Sequence, residues 1–264
     1  MTPLKALHHE IVECRACPRL VAWREEVARI KVKRFRDWTY WARPLPGFGD
    51  PRGRLLIIGL APAAHGGNRT GRMFTGDRSG DFLYAALHRA GFANQPTSVE
   101  RNDGLKLSGA FITAPCRCAP PANKPLPDEL SRCSAWLDRE VALLKNVRVV
   151  LALGSIGWGA ALSHFARRGL PVPRPRPVFG HGAEAPIPGG PVLLGCYHVS
   201  QQNTNTGKLT PKMIDRVLGR AKQLIVSGSS LPRSSPGRAP ASVPPAGAPM
   251  RQGGSRRGSK RIAR

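Results

Sequence analysis

The sequence predicts an α/β fold on a mostly parallel sheet, and three observations predict it. Short continuous apolar runs alternate with segments of helical spacing, which is the pattern of successive βα units. The runs read as strands buried on both faces, as parallel strands covered by helices must be. Pro127 and Pro211 stand where first-turn prolines open a helix. In chain order, the spacing predicts a helix over 4–12, a cysteine-containing turn and a second helix over 20–30. A connector at 38–53, rich in glycine, proline and aromatic residues, leads into a first strand at 55–60. Helical spacing follows over 81–90, a strand over 110–114 and a helix over 128–144. The remaining strands are expected at 147–153 and 192–197, with helices over 156–168 and 211–226. Ligands of such folds gather at the carboxyl ends of the strands. That rule directs attention to 59–78, 114–124 and 198–210.

A chain of 264 residues makes one large domain, or one domain with a tail. From 227 onward the composition is Ser, Pro, Gly, Ala and Arg, with eight basic residues and no acid. Such a segment buries too little apolar area to offset the entropy of ordering. Residues 227–264 are therefore expected as a disordered basic tail, and 1–226 as the folded domain. The whole chain carries 41 Lys and Arg against 16 Asp and Glu, a net +25. Because 33 of the basic residues and every acid precede the tail, the fold itself retains +17. Polyanions are the expected partners. Apolar runs fall far short of the roughly 18 residues that span a bilayer, so no membrane association is expected. The first ten residues lack a signal peptide's apolar run. A cytoplasmic location and reduced thiols are expected, with the six cysteines acting as ligands or core.

Cys14 and Cys17 form a C-x2-C turn between two expected helices, while Cys118 and Cys133 bracket the start of another. Four thiols from two distant segments suggest a metal site. Paired cysteines are common structural zinc ligands. An iron–sulfur cluster also takes four thiolates, and the proline after Cys17 suits it. Spacing alone leaves both open, and Cys116 could replace Cys118. Cys196, in an expected buried strand, reads as a small core residue.

The stretch from Gly59 to Asp81 follows the first strand and holds six glycines, which lets backbone approach a ligand closely. It lacks the lysine of a phosphate-binding P-loop and contains no G-x-G-x-x-G, so nucleotide-cofactor chemistry is disfavoured. Small residues, an aromatic (Phe74), an acid (Asp77) and flanking arginines suit an extruded base beside a phosphate backbone. The loop after the last strand, His198 to Lys208, is rich in uncharged donors and places a histidine at a strand end. His65 is the next histidine of interest.

At these residues the sequence resembles the uracil-DNA glycosylase superfamily, in its type 5 (family B) branch. The matching segments are Y-W-A-R-P-L-P-G-F-G at 40–49, the loop from Gly59 to Asp77, R-C-A-P-P-A-N-K-P at 117–125 and Y-H-V-S-Q-Q-N-T-N-T-G-K-L-T-P at 197–211. The resemblance implies a three-layer α/β/α fold around a four-stranded parallel sheet. It also implies a structural 4Fe-4S cluster held by Cys14, Cys17, Cys118 and Cys133, with Cys118 chosen for its Arg117-Cys118-Ala119-Pro120-Pro121 context. The partner it implies is DNA containing uracil or hypoxanthine, acted on by a monomer.

Two departures from the stricter uracil-specific branches bear on mechanism. Where those relatives carry an acid or amide in the first motif, this chain has Leu60, Ala61, Pro62, Ala63 and Ala64. Where they end the second strand with asparagine, it has Ala114 and Pro115. A pocket lacking that hydrogen bond rejects analogues poorly. The expected reaction is hydrolysis of the N-glycosidic bond. His198 is expected to donate to the base oxygen, Asp77 to serve water or the cationic sugar, and Asn123 to be a third candidate by resemblance. Gly59, Ala61, Ala63, Phe74 and Ala114 are expected around the base, and Ser200, Gln202, Asn203 and Lys208 along the DNA. The alternatives are a catalytically weak nucleic-acid-binding iron–sulfur protein on the same fold, and a redox enzyme.

Overall fold

The computed structural model describes residues 1–227, so the expected basic tail, its first residue Ser227 apart, lies outside the described residues. Two helices open the chain, α1 (Pro3–Val12) and α2 (Pro18–Ile30), each with proline in its first turn. Thr2 caps α1, its hydroxyl accepting from the Lys5 N–H at 3.3 Å, one of the four donors a helix start leaves unpaired. A 3-10 turn at Lys33–Phe35 and an irregular connector lead to the sheet.

Four parallel strands form its centre: β2 (Leu55–Ile58), β3 (Ala110–Thr113), β4 (Val149–Leu153) and β6 (Val192–Cys196). These are the four expected runs. The sheet nevertheless has six strands, in the order β1-β3-β2-β4-β6-β5. Strand β1 (Phe48–Gly49) pairs antiparallel with β3, and β5 (Glu184–Pro186) pairs antiparallel with β6. Both added strands are two or three residues long and rich in Gly or Pro, too short for any hydrophobic period to register.

Alternation along each strand sends successive side chains to opposite faces. Leu55, Ile57, Ile112, Leu151 and Leu194 share one buried cluster with α4 (Arg78–Arg89) and α8 (Pro211–Ser227). Leu56, Ile58, Phe111, Val150 and Leu193 share another with α6 (Ser155–Arg167). Helix α5 (Pro127–Leu143) packs on α1 and α6 on this second side. The expected three layers are therefore present. Two short helices were not expected, α3 (Gly67–Thr70) inside the glycine-rich loop and α7 (Gln201–Asn205) after β6. Among the described residues no helix is long and apolar enough to cross a membrane.

Candidate functional site

The parallel order brings the carboxyl ends of β2, β3, β4 and β6 to one edge of the sheet, and the loops that leave them form the site. Backbone pairing continues past the strands, with the Gly59 N–H on the Thr113 carbonyl at 2.9 Å and Cys116 N–H on Leu60 at 3.3 Å. The glycine-rich loop and the loop after Ala114 are thus tied together at their roots. Ala114 is buried in the core.

Phe74 has a left-handed backbone (φ 51°), a conformation that is costly for a residue with a bulky side chain. It carries the ring back over the end of β2, where Gly59 is required because a Cβ would lie 2.7 Å from the ring. Across the site the Phe74 ring lies 6.4 Å from the His198 ring, inclined at 40°. His198 leaves β6 at the start of its loop. Its carbonyl accepts from the Asn203 amide at 2.8 Å, while neither ring nitrogen is engaged among the described residues. Burial pushes its pKa below the ordinary histidine value, so the ring is neutral at pH 7.

Asp77 is the N-cap of α4, its Oδ1 accepting from the Gly80 N–H at 3.0 Å. The other side of its carboxylate lies on Gly66, where any Cβ would collide with it. Burial raises its pKa, opposed by the backbone N–H groups of Gly80 and Ser79 and by the charge of Arg69. The rest of the loop is braced from within. Ala63 accepts from the N–H groups of Gly66 and Asn68. Arg69 donates to the carbonyls of His65 and Gly76, both at 2.8 Å. The Tyr40 hydroxyl lies 3.1 Å from His65 Nδ1.

The polar loop after β6 is largely engaged with itself. Ser200 caps α7 and Asn203 holds the His198 carbonyl. Gln202 is exposed, and Lys208 Nζ stands 5.1 Å above the Tyr197 ring. Asn123 is also exposed, on a turn where Ala122 and Asn123 are both left-handed (φ 51° and 55°).

Cys14, Cys17, Cys118 and Cys133 line one cavity with Arg117 and Arg132. Cys116 is outside that lining, with its thiol on the Cys118 carbonyl at 3.3 Å. Ala61 packs on Cys116 and Cys118, so the cavity adjoins the glycine-rich loop. Burial pushes the Cys118 thiol up to about 11 against the pull of Arg24, and Cys133 to about 12 against Arg117. Buried Arg24 reaches the Cys118 sulfur at 3.0 Å. Arg24 Nε and Arg117 Nε and Nη1 have no partner among the described residues although fully buried. Among the described residues no group of three or more His, Cys, Asp or Glu side chains is drawn close enough to grip a single metal ion.

Behind the cavity sits a network that sequence reading missed. Buried Glu140 accepts from Arg117 Nη2 (2.7 Å), Thr113 Oγ1 (2.5 Å) and the Gly47 N–H (2.8 Å), and its Oε1 lies 3.1 Å from His8 Nε2.

This layered fold, with its glycine-rich loop facing a histidine at the end of β6, is matched over residues 46–222 by the uracil DNA glycosylase superfamily. The chain belongs to that superfamily. Within it, the branch is type 5. The chain is 58% identical over 212 residues to the type-5 uracil-DNA glycosylase of Mycobacterium tuberculosis, covering 80% of this chain and 78% of that one. It is 54% identical over 220 residues to that of Thermus thermophilus, covering 83% and 97%. With the type-4 uracil-DNA glycosylase of Sulfurisphaera tokodaii it shares 29% identity over 132 residues, about half of each chain.

Proposed function

We propose that the protein is a monofunctional DNA glycosylase that hydrolyses the N-glycosidic bond of uracil, and of hypoxanthine, in DNA and leaves an abasic site. The observation that carries this reading is the Phe74 ring facing an unengaged, neutral His198 across the strand ends. Its type-5 relatives bear the name of that activity.

A nucleotide must leave the duplex stack before such a bond can be reached. Phe74 offers a face for the extruded base. As the bond to C1′ breaks, its electron pair leaves with the base and the sugar becomes cationic. A neutral His198 donates a hydrogen bond to the base oxygen where negative charge develops, and being preorganised it needs no reorientation. Asp77, with one oxygen fixed by its cap, presents the carboxylate that opposes the sugar's charge and orients the water, whose proton is released after attack on C1′. Asn123, on its exposed turn, would meet the DNA. Buried Ala114 offers no edge-reading group, so bases other than uracil are accepted.

Cys14, Cys17, Cys118 and Cys133 would hold a 4Fe-4S cluster, whose chemistry there is to tie the α1–α2 turn to the loop after β3 and to α5. The fit rests on the donor set and on the buried nitrogens Arg24 Nε, Arg117 Nε and Arg117 Nη1, which have no hydrogen-bond partner among the described residues. Thiols spread around a cavity suit the separate corners of a cluster better than one ion.

An oligonucleotide carrying one uracil or one hypoxanthine, incubated with the protein and then treated with alkali, tests the reading. Cleavage only after alkali is expected, with no covalent adduct on borohydride trapping. An intact strand, or a trapped adduct, refutes it. Ala114→Asn is expected to narrow excision toward uracil.

A further inference from the structure

The basic residues of the described chain fall into two groups. Several exposed arginines are held by acids: Arg15 by Glu25, Arg29 by Glu26, Arg43 by Glu13, Arg89 by Asp215, Arg167 by Asp138 and Arg220 by Glu184. The segment just after α2 differs. Lys31, Lys33, Arg34 and Arg36 fall within six residues, and no carboxylate forms an ion pair with any of them among the described residues. Lys33, Arg34 and Arg36 are exposed. Four cations this close repel one another, with no ion-paired carboxylate to offset them among the described residues.

The same segment is fastened to the glycine-rich loop by aromatic side chains on its inner side. Phe35 and Trp38 are half-buried, and the Arg69 guanidinium stacks on both, 3.8 and 4.0 Å from their ring centres. Such stacking holds a cation strongly once it is desolvated, and Arg69 is buried. Arg69 is also the residue whose guanidinium bonds to the carbonyls of His65 and Gly76, within the loop that carries Phe74 and leads to Asp77. Backbone contacts extend the attachment, with Trp41 N–H on the Arg69 carbonyl at 2.9 Å and Ala42 N–H on Asn68 at 3.0 Å. The cations therefore ride on an arm fixed to the loop that would receive the base.

We infer that residues 31–36 form a phosphate-gripping arm that binds the DNA strand beside the extruded nucleotide, with Arg69 as its anchor on the site loop. This rests on the DNA glycosylase reading and adds to it the surface that takes the backbone. An unpaired, sequence-local set of lysine and arginine suits a row of phosphates, because each neutralised phosphate releases condensed counterions. The anchoring has a purpose under this arrangement, since a strand held by the arm is held in register with Phe74 and His198.

The test is the salt dependence of binding, measured by fluorescence anisotropy on a duplex with a stable abasic-site analogue, using the full chain. Each phosphate contact contributes about 0.9 to the slope of log K against log salt on duplex DNA. Lys33→Ala/Arg36→Ala is therefore expected to lower the slope by about 1.8, whereas Arg167→Ala/Arg220→Ala, which removes acid-paired cations, leaves it unchanged. Trp38→Ala keeps every exposed cation but loosens the anchor, and is expected to lose a similar part of the slope. An unchanged slope in the Lys33→Ala/Arg36→Ala variant overturns the arm, as does an equal loss in the control pair. An unchanged slope in Trp38→Ala overturns the anchor. Excision of uracil by the unaltered protein is scored separately, so failure of the glycosylase reading is distinguishable from failure of the arm.

Discussion

Replacing Glu140 by Gln removes one negative charge from a buried polar cluster while conserving volume. Glu140 and Arg117 are 0% and 1% exposed. Arg117 already has two guanidinium nitrogens without partners, so loss of the carboxylate leaves a buried cation uncompensated. Breaking a buried pair from one side costs about 3–5 kcal/mol. Burial alone would raise the Glu140 pKa, but the Arg117 charge and the bonds from His8, Arg117 and Thr113 outweigh it and hold it at about 2. From an unfolded value near 4.3, at about 1.36 kcal/mol per pH unit, this corresponds to about 3 kcal/mol, in agreement with the first figure. For a domain of this size the loss lowers Tm by about 6–20 °C. Urea unfolding at pH 7, followed by far-UV circular dichroism, reads the difference from the midpoint and slope. The pH dependence has a definite sign. The folded carboxyl has the lower pKa, so its stabilisation is complete above the unfolded value and disappears as pH falls toward 2. The gap between Glu140→Gln and the unaltered protein should be constant from pH 6 to 8 and shrink below about 4.3. A difference under about 1 kcal/mol at pH 7, or a gap that widens in acid, refutes the account of this network.

Three further outcomes are expected. His198→Ala should slow single-turnover excision by about 10²-fold, and because burial keeps the ring neutral, the unaltered rate should stay flat as pH falls from 8 to about 6.5. A rate that rises on acidification through that range indicates a charged imidazole instead. Asp77→Asn should preserve stability within about 0.5 kcal/mol, since Asn caps a helix about as well as Asp, yet slow excision by about 10²-fold through loss of the charge. Equal rates in a single-turnover assay confine Asp77 to its cap. Cys118→Ser should abolish iron binding in anaerobically prepared protein while Cys116→Ser retains it, as read by metal analysis, and the reverse pattern moves the ligand.

How far the sequence foretold this molecule depended on the range of each interaction. The four central strands announce themselves as continuous apolar runs, and the helices by their period. Helix α4 begins at Arg78, three residues before the expected 81, because Asp77 caps it and the polar first turn carries no apolar period. Phe74, His198 and the four cysteines of the cavity could be singled out from local motifs. The Glu140 network could not, since it joins residues 23 to 132 positions apart through buried polar atoms. Arg69 likewise reads as one more loop arginine until Phe35 and Trp38 fold against it. Ser200 and Asn203 stand in a polar loop that reads as DNA-facing, yet capping and the His198 carbonyl claim their side chains.

The two edge strands have a consequence of another kind. An open sheet ends in unpaired backbone that can recruit a neighbouring chain and grow. Here one margin is β1, with two residues including Gly49, and the other is β5, three residues ending in Pro186, which has no N–H to donate. Neither gives an incoming strand a register long enough to hold. The sheet is not closed into a barrel, but it is stopped at both sides. Molecules concentrated side by side on a polyanion would meet there without a template for fusing into a common sheet.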